Sequence, residues 1–124
     1  MSYHNSHLIY DSSREGTAVG SRIGRSADRT LLFRSEPFSI DLVVHRSSDS
    51  LRYFHGHVIR EPLRTPVVGA CVRLEESGDR VLTDEFGQFA VSSMAWETRH
   101  VLEIGTADET VVLRVPAAEA TEEF

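Results

Sequence analysis

The side chains best suited to chemistry in this sequence are the imidazoles of His55 and His57, separated only by Gly56. In an extended strand, residues i and i+2 project from one face, so the two rings could share a metal ion, with His45 on a neighbouring strand as a third ligand. No carboxylate or thiol is placed to complete that set, and a sheet face in water needs polar residues in any case. Solvent-facing histidines are the preferred reading, with His45, His55 and His57 kept as weak metal candidates; His4 and His7 join them only if the N terminus folds back. Cys71 could act as a nucleophile with His57 or His100 as base, but no glycine-rich oxyanion loop or nucleophile elbow accompanies it, so it reads as an inert thiol. Asp84 and Glu85 are adjacent in a turn and point apart, which favours turn chemistry over calcium binding or acid–base work. Glu75, Glu76 and Asp79 read as a solvated acidic hairpin tip.

The elements that carry these residues read as strands. Leu31 to Phe33 is a short apolar run, and Phe38, Ile40, Leu42 and Val44 then alternate with Ser39, Asp41 and Val43. Leu51 to Ile59 follows a polar turn, with Phe54, Gly56 and Val58 on one face and Tyr53, His55, His57 and Ile59 on the other. Ala70 to Leu74, Val81 to Thr83, Phe89 to Val91, Val101 to Ile104 and Val111 to Val115 extend the series, with turn signals every 8 to 12 residues. About seven short strands in this pattern predict an all-β, antiparallel Greek-key sandwich. Helix is nearly absent; Ser92 to Glu97 is at most one turn, whose Trp96 would cover an end of the core.

Three segments follow from composition. Residues 1–29, rich in Ser, Gly, Arg and Asp, read as a flexible N-terminal arm; residues 30–115 form the sandwich; residues 116–124 are an acidic tail. Leu8, Ile9 and Tyr10 are the arm's apolar knot, able to form a strand by docking on this domain's own sheet edge or on a partner's. Arg22, Arg25 and Arg29 read first as solubilising charge and second as contacts for an acidic surface or phosphate. The chain has 13 Arg and no Lys against 19 acidic residues, a net charge of -6 that argues against sequence-independent nucleic-acid binding. Lack of Lys also excludes Schiff-base chemistry, and no phosphate-binding loop, dinucleotide fingerprint or serine-hydrolase motif is present. No run reaches the roughly 20 apolar residues of a membrane span, no secretory leader is legible, and a lone cysteine fits a reducing compartment, so the expectation is a cytoplasmic protein without a membrane role.

Gly56 with Val58, then Pro66, Gly69, Ala70 and Val72, then Thr83, Asp84, Gly87 and Phe89 form three blocks in order. The pattern resembles the carboxypeptidase regulatory-like domain, a transthyretin-like or prealbumin-like β-sandwich, in its small free-standing bacterial form. The match spans about residues 54 to 91, and the strands after it extend it to about 115. The resemblance implies a scaffold and brings no catalytic residues. The reading of the whole chain is a non-enzymatic protein-binding or adaptor module with no cofactor. It would be a regulator or inhibitor within a bacterial signalling or protease/sigma-factor assembly, and would meet its partner through a sheet edge or the arm. Leu8, Ile9, Tyr10, Arg22, Arg25 and Trp96 are the candidate contacts. The loops around Arg60 to Thr65 and Met94 to Arg99 come next. Two alternatives stay open: a carbohydrate or small-ligand site on Tyr53 and Trp96, and a metal site on His45, His55 and His57.

Overall fold

The computed structural model describes residues 2–14, 29–46, 52–93 and 99–116. Eleven strands make up the fold: β1 (Ser2–Asn5), β2 (His7–Asp11), β3 (Arg29–Ser35), β4 (Phe38–Arg46), β5 (Arg52–Arg60), β6 (Thr65–Pro66), β7 (Cys71–Leu74), β8 (Arg80–Leu82), β9 (Gln88–Ser93), β10 (His100–Gly105) and β11 (Glu109–Val115). They form a two-sheet, all-β sandwich. The first sheet has the order β1-β11-β10-β7-β8; in the second, β2-β3-β4-β5 is continued by β6 and β9, which share the far edge of β5. Pairing is antiparallel except between β1 and β11. Among the described residues there is no α-helix, only a 3₁₀ turn at Ser12–Arg14.

Period-2 alternation builds the core as the sequence suggests. Leu31, Phe33, Ile40, Leu42, Phe54 and Val58 from the second sheet meet Val72, Leu74, Leu102, Ile104, Val111 and Leu113 from the first, all at most 3% exposed. Burying each such side chain contributes roughly 1.5–3 kcal/mol, which is why the alternating runs sort themselves between two facing layers. Gly56 has a packing reason to lack a side chain: the Phe89 ring lies directly over it, and a Cβ there would come within 2.1 Å of the ring. At Gly87, φ is +77° and a Cβ would meet the Val58 carbonyl at 2.6 Å, so both conformation and space require glycine.

Eight of these strands carry the runs read from the sequence; three more were not counted among them, although Leu8 to Tyr10 reads as able to dock on a sheet edge of this domain. One of these, β6, is two residues long. The others correct the flexible arm: residues 2–11 belong to both sheets, with Ser2–Asn5 alongside β11 and His7–Asp11 alongside β3. At Ser6 the chain crosses between layers, its N–H and hydroxyl both donating to the Val112 carbonyl at 3.0 and 2.8 Å. A segment divided between two sheets shows no continuous period, so it reads locally as irregular. Arg22, Arg25 and Trp96 lie outside the described residues, as do residues 117–124 of the acidic tail.

Candidate functional site

The histidine face forms on the outside of the second sheet. β4 and β5 pair so that His45 lies opposite Tyr53, Val43 opposite His55 and Asp41 opposite His57. The His45 and His55 rings meet edge to face, centroids 5.9 Å apart. His57 is otherwise engaged: its Nε2–H donates to the Phe86 carbonyl at 2.9 Å and ties β5 to the β8–β9 turn. Among the described residues, no three His, Cys, Asp or Glu side chains converge as a metal cluster. His4 sits in the other sheet, with Nε2 3.9 Å from Glu109.

The other titratable candidates have structural partners. Asp84 Oδ1 accepts the N–H groups of Phe86 and Gln88, each at 2.9 Å. Those two bonds, Gln88's first, hold its carboxyl below the ordinary carboxylate range. Cys71 is half-buried on the outer face of the first sheet, paired with Gly105 and Leu82. His100 starts β10, the strand that Gly105 ends, about 17 Å away along the strand, and His57 faces out of the opposite sheet, so neither serves Cys71 as a base. His100 instead points inward, edge to face with Phe54, and its Nδ1 pairs with Glu76. Glu76 therefore departs from the solvated hairpin tip read from sequence, because a buried imidazole needs a partner and this carboxylate supplies it.

The proposed partner residues of the N terminus separate. Leu8 packs against the core, while Ile9 and Tyr10 are 57% and 43% exposed at a register shift, a bulge in the β2 edge. Arg29 is an internal clamp in place of a surface charge. Its guanidinium donates twice to Asp11, at 2.9 and 2.7 Å, and once to the Pro116 carbonyl at 3.1 Å, joining β2, β3 and the chain after β11. Burial alone would raise the Asp11 carboxyl; the hydrogen bonds from Arg29 and Ser13, with the Arg29 charge, outweigh it and hold the pKa below the ordinary range.

The remaining feature lies along β9. A cleft of about 340 Å³ opens between β9 and β8, lined by Tyr53, Asp79, Arg80, Val81, Ala90, Val91 and Ser92. The ladder between β5 and β9 is regular from Arg52–Ser93 to His57–Gln88. Val58 N–H donates to the Gly87 carbonyl, which makes His57 and Gln88 a pair without mutual hydrogen bonds. By alternation, the backbone groups of Gln88, Ala90 and Ser92 point away from β5. Asp84 takes both groups of Gln88, its Oδ1 accepting that N–H and its own N–H donating to that carbonyl. Among the described residues nothing takes those of Ala90 and Ser92. Arg80 and Asp79 at the cleft also make no side-chain ion pair or hydrogen bond among the described residues. The sequence reads Phe89 to Val91 as a strand and Ser92 as the start of a turn, but β9 runs on through Ser92 and Ser93; the signal for an open edge is a stretch, Gln88 to Ser93, without charge or proline. With this geometry in hand, comparison with family models, curated proteins and solved structures found no match to the chain.

Proposed function

We propose that the protein is a non-enzymatic, cytoplasmic protein-binding module of the carboxypeptidase regulatory-like, prealbumin-like Greek-key type, and that it takes an extended segment of its partner along β9. The observation that carries this reading is the pair of outward-facing backbone N–H and C=O sets at Ala90 and Ser92, unpaired among the described residues, beside an open cleft. An edge of that kind binds main chain to main chain, while neighbouring pockets take alternate side chains. Natural sheets protect such edges with charge, proline or a bulge, and β9 has none of these. The partner surface therefore moves from the N-terminal segment to the opposite edge. Removing residues 1–29 tests folding rather than capture, because it deletes two strands.

A displayed library of extended heptapeptides, followed by amide shifts of the isotope-labelled protein, tests the reading. Binders should shift the Ala90 and Ser92 amides and lose affinity for the Ala90→Lys/Ser92→Lys variant. Binders that shift only other faces, or an absence of binders, would overturn it.

A further inference from the structure

We infer that the segment seated on β9 is β9 of a second copy, paired antiparallel about a twofold axis through Val91. The inference rests on the edge-binding reading above and names its occupant. A closed pair must use one surface against itself, so that surface has to be self-complementary. This edge meets the requirement in three ways.

The first is the hydrogen-bond pattern. Each copy offers the N–H and C=O of two residues, Ala90 and Ser92. With Ala90 opposite Ser92 of the other copy, and the reverse, all four donors and all four acceptors are matched in four bonds. A register centred on Ala90 would instead set Ser92 against Gln88, whose backbone groups Asp84 already holds. The second is side-chain size and charge. Ala90 meets Ser92 on the outer face and Val91 meets Val91 on the core side, so no like charges face each other and nothing bulky separates the strands. The third is the cleft, which carries one cation, Arg80, and one carboxylate, Asp79, neither with an ion-pair partner among the described residues. Both signs on each copy complement a second copy better than a segment of single charge. The six-stranded sheets would then run continuously through the pair.

Sedimentation equilibrium across a concentration series tests the occupant. The wild type should dimerise reversibly, and Ala90→Lys/Ser92→Lys should raise the dissociation constant by about tenfold or more, because it sets like charges directly opposite twice without touching the core. Register is tested in a Cys71→Ser background. Ala90→Cys and Ser92→Cys chains should cross-link on oxidation when mixed, since residues facing each other in a hydrogen-bonded pair have Cα atoms about 5.5 Å apart, within disulfide range. Either variant alone should cross-link far less. Equal cross-linking in all three samples, or a dimer unaffected by the lysines, would overturn the inference. A wild type that stays monomeric while still capturing extended peptides at Ala90 and Ser92 would overturn the second copy alone and leave the edge-binding reading standing.

Discussion

The two long edges of this sandwich are finished in opposite ways. On one side a single length of chain, residues 2–11, runs first as the edge of the five-stranded sheet and then, beyond Ser6, as the edge of the other. It is bonded at the crossing to Val112, bulged at Ile9, and tied at its end by the clamp of Asp11 and Arg29. On the other side β8 and β9 belong to different sheets and do not pair, and between them lies the cleft with the backbone groups of Ala90 and Ser92, which no described residue takes up. One edge holds the layers together; the other presents main chain to whatever can pair with it. Edge strands of similar length can serve cohesion or recognition, depending on what besides their ladder ties them down: residues 2–11 are bonded to Val112, bulged and clamped by Arg29, whereas β9 has its ladder to β5 and the Asp84 contacts at Gln88.

Breaking the closed edge should have the largest effect. Deleting residues 1–11 removes two strands and the carboxylate that Arg29 needs, and we expect no cooperative unfolding transition by circular dichroism. A deletion variant that unfolds cooperatively near the wild-type midpoint would erase the contrast between the edges. Asp11→Ala should cost about 3–5 kcal/mol in urea denaturation, because it leaves the Arg29 guanidinium, 12% exposed, without its partner. The same pair sets a pH dependence. The Asp11 pKa is lowered by folding, so its contribution is fully present above the unfolded-state carboxylate pKa and is lost as pH falls through the depressed folded value. Asp11→Asn should be less stable than wild type at neutral pH and should lack this part of the acid-side decline; parallel slopes below the ordinary carboxylate range would remove the clamp from the account.

Next in size, Gly56→Ala places a methyl group against the Phe89 ring beneath the open edge and should cost about 1–3 kcal/mol, with part recovered by adding Phe89→Leu. Equal losses with and without the second substitution would show that the ring contact is not the reason for glycine here. The smallest effect on the monomer belongs to the open edge itself. Ala90→Lys/Ser92→Lys should leave the unfolding free energy of the isolated chain in urea within about 0.5 kcal/mol of wild type, since surface positions of this kind tolerate charge. A large loss would mean that β9 supports the fold much as β2 does.

Strands β3 to β5, β7 and β9 to β11 were legible because each turns alternate residues into the core, with β8 contributing the partly buried Val81, and the hydrophobic alternation records that. Turn chemistry was legible for the same local reason: Asp84 and Gly87 act within five residues of chain. What escaped were relations between distant segments. β1 and β2 borrow their partners from β11 and β3, so Leu8 to Tyr10 could be read as able to dock but not where. Glu76 looks like any hairpin-tip acid until His100 arrives from β10 to meet it. Gly56 and Phe89 were both singled out, and nothing local says that one ring lies on the other residue.

The sequence by itself determined a β-sandwich core, the turns that join the strands, and a second face on β5 of Tyr53, His55, His57 and Ile59, of which Ile59 proves buried, because these depend on side-chain periodicity and nearby backbone bonds. Tertiary structure decided which strands lie at the edges and which of their backbone groups remain unpaired. Every residue but proline carries the same N–H and C=O, so no composition or motif can mark the few that the fold leaves without a partner.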